Sequence, residues 1–269
     1  MASASQIAPP AVRRLEGKVA LITGAARGLG ECTARLFTQH GAKVVIADII
    51  DDVGQAVSQT IPDSTYVHCD VTKEKDVQDA VDTAVSKYGK LDIMFNNAGI
   101  NSAVNRDSIL ENDLEDFERV VSVNLTGVFL GTKHAARVMI PAGRGNIINT
   151  ASVSSIAGGL TSHAYTGSKH GVLGLTKNTA VELGRHGIRV NCVSPYVVAT
   201  PMAKGFFRLT DEEVHNIYNP LKGAKIEPQD FAEAALFLAS DESKFVNGHN
   251  LVADGGYTIS NYGFTIFKQ

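Results

Sequence analysis

The stretch Val19-Ala20-Leu21-Ile22-Thr23-Gly24-Ala25-Ala26-Arg27-Gly28-Leu29-Gly30-Glu31 decides the fold. Val19–Thr23 reads as a short strand buried on both faces, and the glycine-rich turn after it runs straight into a helix. Gly24 permits the sharp turn, Gly28 lets the backbone approach a pyrophosphate, and Gly30 allows close helix–strand packing. The amides of the turn, with Arg27 and Leu29 in it, and the helix dipole then face an anion. Glycine-rich turns also join strands to helices for steric reasons alone. The position of this one, in the first βα unit, is what points to a dinucleotide.

Outward from that turn, strands and helices alternate. The apolar periodicity and the Gly and Pro stops predict helices over Glu31–His40, Asp51–Thr60, Glu74–Tyr88, Asp113–Ile140, His163–Gly184 and Gln229–Ser240. Between them lie strands at Val44–Asp48, Thr65–Asp70, Leu91–Asn96, Gly145–Ala151, Arg189–Val193 and His249–Val252. Short Val- and Ile-rich runs alternating with helices indicate an α/β fold: one doubly wound Rossmann-type domain, a parallel sheet of about seven strands with helices on both faces. Residues 1–14, MASASQIAPPAVRR, read as a disordered tail. Residues 15–269 read as one catalytic domain with a substrate-loop insertion around 196–227.

Composition narrows the partners. A net charge of −3 with both signs interspersed gives no reason to expect nucleic acid or an anionic membrane, and no apolar run is long enough to span a bilayer. Cys32, Cys69 and Cys192 are odd in number and far apart, and His163, His170 and His186 have no ligand spacing, so no metal site is expected. Reduced thiols and the lack of a secretory signal point to the cytoplasm. The tail lacks acidic residues and carries Arg13 and Arg14, which leaves an organelle-targeting reading open.

Asp48 ends the second strand, 24 residues after Gly24. A carboxylate there can accept both ribose hydroxyls of adenosine and repel a 2′-phosphate, so the cofactor expected is NAD. Arg27 is the counter-signal, since a basic residue in the turn can bind that phosphate. Asp70 and Val71 close the third strand near the adenine edge. Asn97, Ala98 and Gly99 let the chain pass close to the cofactor.

Tyr165 and Lys169 lie four apart on a helix and share a face. A phenol has a pKa near ~10, and bringing it toward ~7 takes about 4 kcal/mol of preference for the phenolate. Two positive charges shielded from water, a lysine ammonium and an oxidised nicotinamide, can supply that. Ser152, after the fifth strand, can position a substrate hydroxyl. Asn124, inside the long helix, either bends it and holds water toward Lys169 or simply faces solvent.

Together TGAARGLG, Asp48, NNAG, Asn124, Ser152 and YTGSK resemble, in order and spacing, the short-chain dehydrogenase/reductase family over nearly the whole chain. The resemblance implies Tyr165 as acid/base, Ser152 orienting the substrate oxygen, Lys169 on the nicotinamide ribose, and Asn124 completing a proton relay. Pro195, Val198 and Thr200 match positions near the nicotinamide, although Tyr196 stands where the family often has glycine. KHAARVMIP, ELGRHGIRVNCVSPY and DESKFVNGHNLVADGGYT resemble a plant branch typified by secoisolariciresinol dehydrogenase, with xanthoxin and monoterpenoid alcohol dehydrogenases. That branch implies NAD-dependent oxidation of a secondary alcohol or lactol, and a homotetramer built through the helices bearing Asn124 and Tyr165.

Val153, Ile156, Tyr196, Met202 and Phe206, with Leu160, Phe207 and Tyr218 nearby, are the expected substrate pocket. They suit a compact, apolar alcohol, ketone or lactol of terpenoid or lignan type. The same aromatic residues can instead pack on the core. Two further functions compete with an alcohol dehydrogenase: a non-redox terpenoid cyclase or isomerase that keeps NAD as a structural cofactor, and a binding protein on the same fold. The complete Asn124–Ser152–Tyr165–Lys169 set ranks the binding protein last.

Overall fold

The computed structural model describes residues 13–103, 108–215, 221 and 223–260. Its strands are β1 (Val19–Thr23), β2 (Lys43–Asp48), β3 (Ser64–His68), β4 (Ile93–Asn96), β5 (Gly145–Thr150), β6 (Ile188–Pro195) and β7 (Asn250–Ala253). All pair in parallel in the order β3-β2-β1-β4-β5-β6-β7. The helices are α1 (Gly28–Gln39), α2 (Asp51–Thr60), α3 (Glu74–Tyr88), α4 (Leu114–Val121), α5 (Gly127–Ala142), α6 (His163–Gly184), α7 (Pro201–Phe207), α8 (Asp211–His215) and α9 (Pro228–Ala239). The doubly wound sheet expected from the strand–helix alternation is therefore present.

Period-two alternation divides the strand residues between two cores. Ala20 and Ile22 join Val44, Ile46 and Phe95 under α1 and α9, where Phe37, Phe231 and Leu236 are buried. Val19 and Leu21 join Val45, Ala47 and Met94 on the other face, against Val77 and Val81 of α3 and Met139 of α5. Each large side chain so buried stabilises the fold by roughly 1.5–3 kcal/mol. The strand order reverses between β1 and β4, which opens a crevice at the carboxyl ends of the sheet.

Several boundaries differ from the expected ones, for local reasons. The helix expected over Asp113–Ile140 is two helices joined by a π-helical turn at Ser122–Thr126. Pro141 does not stop α5. Gly143 stops it in the left-handed region (φ 64°), its amide donating to the carbonyls of Ile140 and Met139. β3 ends at His68 rather than Asp70, because Asp70 turns the chain by accepting from the Thr72 amide (3.0 Å) and hydroxyl (2.7 Å). The 196–227 stretch carries α7, started by Thr200 as cap and Pro201 as first residue, and then α8. Of the expected tail, residues 1–12 lie outside the described residues. Arg14 is bound to the body, its guanidinium gripping Glu242 at 2.8 and 2.6 Å.

Candidate active site

The carboxyl ends of the strands open on a cavity of about 630 Å³. At its glycine turn, Gly24 and Gly28 line the cavity with φ of +64° and +63°, alongside Arg27 and Leu29. Gly30 lies behind it. A Cβ there would fall 2.2 Å from the Gly24 carbonyl oxygen and 2.6 Å from Asn97 Nδ2, so only glycine allows α1 to sit this close to the strand. Asn97 joins the β4 end to the same turn, its Nδ2 donating to the carbonyls of Thr23 (3.0 Å) and Gly24 (3.1 Å). Ala98 packs directly against Gly24, and both Asn97 and Ala98 line the cavity.

Asp48, 7% exposed, also lines it. Its Oδ2 accepts from the Ala26 amide (2.9 Å) and its Oδ1 from the Ile50 amide (3.0 Å). Those two bonds fix the carboxylate while leaving each oxygen a second lone pair for a ribose hydroxyl. Exposed Arg27 sits on the lip, and Asp70 and Val71 continue the wall. Pro195, Val198 and Thr200 line the opposite side.

At the inner wall, the cap residue Ser162 accepts from the Tyr165 amide (3.3 Å) and so starts α6. Tyr165 and Lys169 are almost wholly buried, at 8% and 2% exposure. Burial pushes the Tyr165 phenol above its ordinary pKa, and a hydrogen bond with Ser152 opposes this without overcoming it. Burial also lowers Lys169 from 10.5 to about 8. The lysine Nζ donates to the Thr150 carbonyl (2.8 Å) and lies 5.5 Å from the Tyr165 ring centre. The protein alone thus holds Tyr165 protonated. The neighbouring Lys169 ammonium does not offset that rise.

Asn124 is fully buried, which settles its orientation against solvent. In the π-helical turn its Oδ1 accepts from the Ile100 amide (2.8 Å), and its Nδ2 donates to the Ile100 carbonyl (2.9 Å) and Ser168 Oγ (3.2 Å). It does not line the cavity. Gly99 lies between the two groups: a Cβ there would sit 3.4 Å from Asn124 Oδ1 and 3.5 Å from Lys169 Nζ.

The expected substrate pocket divides. Val153, Tyr196 and Met202 line the cavity, as do Leu160 and Phe207. Ile156 and Phe206 do not. Ile156 follows a tight turn at Val153–Ser155 and is 43% exposed. Phe206 lies one helical step, about 100°, from Phe207, which takes the inward position with the two rings edge-on at 5.0 Å. Tyr218 lies outside the described residues. Tyr257 was not foreseen: parallel pairing of Pro195 with Ala253 brings its ring to 4.4 Å from Tyr196, and both line the cavity. Asn101 and Thr161, also on the wall, carried no signal in the sequence.

The glycine turn and the buried Tyr165, Ser152 and Lys169 stand on the walls of the same cavity. This fold and site define an oxidoreductase that uses a nicotinamide dinucleotide. The family model described as enoyl-(acyl carrier protein) reductase matches residues 24–258. Secoisolariciresinol dehydrogenase of Forsythia intermedia is 59% identical, over 100% of this chain and 99% of its own. The mitochondrial borneol dehydrogenase of Lavandula x intermedia is 60% identical, over 97% and 98%. Among solved structures, a Brucella melitensis 3-ketoacyl-(acyl-carrier-protein) reductase complexed with NADH is 36% identical with TM-score 0.84, covering 91% of this chain and 99% of that one. The chain belongs to the short-chain dehydrogenase/reductase family. Among the described residues no helix is long and apolar enough to cross a membrane, and no cluster of three or more His, Cys, Asp or Glu side chains could hold a metal ion.

Proposed function

We propose that the protein is an NAD-dependent dehydrogenase that oxidises a secondary alcohol or lactol of a compact, largely apolar metabolite of terpenoid or lignan type. The observation that carries this reading is the buried Tyr165–Ser152 contact at the inner wall of a cavity whose other end is the Asp48 turn. The names of the Forsythia and Lavandula relatives support the substrate class, and apolar Val153, Leu160, Met202 and Phe207 suit it. Asp48, held by two backbone amides, supports NAD over NADP.

Bound NAD would supply a positive charge and the acceptor for the hydride that the carbinol carbon loses. Ser152 donates to the substrate oxygen and fixes the carbinol. Tyr165, as phenolate, would take the hydroxyl proton as the alcohol becomes a carbonyl. Lys169 would hold the nicotinamide ribose. Asn124 positions the Ile100 backbone and, through Gly99, the approach to Lys169. Tyr165→Phe removes the proton acceptor and should abolish NADH formation while NAD still binds; turnover at the wild-type rate would refute the assignment.

Exposed apolar side chains on α4, α5 and α6 support a homotetramer through these helices: Leu114 (70%), Phe117 (42%), Phe129 (48%) and Val181 (70%). Light scattering would read it. The cytoplasm is the proposed compartment, and the free thiols of Cys32, Cys69 and Cys192 support it. A fluorescent fusion of the full chain tests this.

A further inference from the structure

The wall of the substrate end is apolar apart from a few polar side chains, and nearly all of these are already engaged. Ser152 belongs to the reacting end, beside Tyr165. Thr161 Oγ1 bonds to Ser154 Oγ and Thr166 Oγ1, each at 3.1 Å. Asn101 differs. Its Oδ1 accepts two bonds, from Ser162 Oγ (3.0 Å) and from the Ser102 amide (2.9 Å). The Ser102 amide, which can only donate, fixes which end of the side chain is oxygen. Nδ2, with two N–H groups, has no partner among the described residues, and Asn101 lines the cavity. Its position is held from two elements: by Ser162, the cap that also receives the Tyr165 amide, and through its backbone carbonyl, which accepts from Arg119 (3.2 Å).

Resting on the dehydrogenase reading above, we propose that Asn101 is a specificity-determining residue whose Nδ2 donates to a second, acceptor-only oxygen of the substrate: an ether, a ketone or a lactone carbonyl. The substrate is then a secondary alcohol with two oxygen functions. One is held at Ser152 and Tyr165, the other at the β4–α4 connection. An ordered donor in an otherwise apolar wall favours the ligand that satisfies it and disfavours the one that leaves it dry.

The test compares borneol with ring-hydroxylated camphors, which share one bicyclic skeleton and differ by a keto oxygen. In the wild type, kcat/KM for the best hydroxycamphor should exceed that for borneol by about tenfold, the effect of one hydrogen bond of ordinary net strength. Asn101→Ala should bring that ratio to about one. Asn101→Asp keeps the acceptor for Ser162 and Ser102 but presents a carboxylate to the keto oxygen, and should bring the ratio below one. Calorimetric affinities of camphorquinone and camphor for the protein–NADH complex read the same preference without turnover. A wild-type ratio near one in both measurements, or ratios unchanged in both variants, overturns the role of Asn101. Absence of NADH formation with the affinity preference intact counts against the dehydrogenase reading alone.

Discussion

Lys169→Met replaces a buried ammonium by an unbranched apolar chain of similar reach, and it should stabilise the cofactor-free protein while destroying its activity. A fall in pKa from 10.5 to about 8 on burial corresponds to about 3 kcal/mol of destabilisation of the charged form, at 1.36 kcal/mol per tenfold. The variant also strips the Thr150 carbonyl of its 2.8 Å donor, which costs about 1 kcal/mol. The net gain is about 2 kcal/mol, a rise in Tm of roughly 4–8 °C for a chain near this size.

The pH dependence separates this from a generic packing effect. Below pH 8 the lysine is charged in both folded and unfolded wild type, so the full penalty is present. Between pH 8 and 10.5 the folded state loses its proton while the unfolded state keeps it, and wild-type stability rises. Thermal melts followed by circular dichroism should therefore show the variant ahead at pH 7 and the gap narrowing by pH 10. A variant less stable than wild type at pH 7, or a gap equal at both pH values, would refute the argument that the ammonium is held at the expense of stability. NADH formation should fall by orders of magnitude in the same variant, a trade of stability against function.

Asp48→Ser removes the carboxylate that Ala26 and Ile50 amides hold at the turn, so NAD should bind at least tenfold more weakly and NADP more tightly, read by titration with both cofactors. Phe207→Ala opens the cavity and should change relative kcat/KM across a panel of bulky and small alcohols. Phe206→Ala should leave that profile unchanged, and a matching effect of the two would contradict the inward placement of Phe207.

These residues mark where the sequence was legible and where it was not. The glycine turn, Asp48, and the α6 residues could be read because local constraints place them: a positive φ at Gly28, a strand end, an i,i+4 spacing. α3 and α6 have the predicted bounds because a glycine stops one and Ser162 caps the other. Phe206 and Phe207 could not be separated, since a seven-residue helix has too few turns for periodicity to choose between adjacent aromatics. Tyr257 was invisible for a different reason. It reaches Tyr196 only through the β6–β7 register, a pairing that neither residue's surroundings announce.

The largest revision concerns the tyrosine chemistry. The sequence asks the Lys169 ammonium and an oxidised nicotinamide together for the preference of the phenolate, and it leaves the burial of the tyrosine and the lysine uncounted. The structure buries both groups, and burial opposes both charges: it raises the tyrosine and lowers the lysine. A group arranged this way does not ionise readily in the empty protein. In the proposed mechanism it becomes a base when the oxidised nicotinamide binds, so proton abstraction would follow cofactor binding. The expected signature is a Tyr165 titration, followed by ultraviolet difference spectroscopy, that moves to lower pH when NAD is added and does not move when NADH is added. Equal shifts with both cofactors would show that hydrogen bonding, rather than the positive charge, activates the phenol.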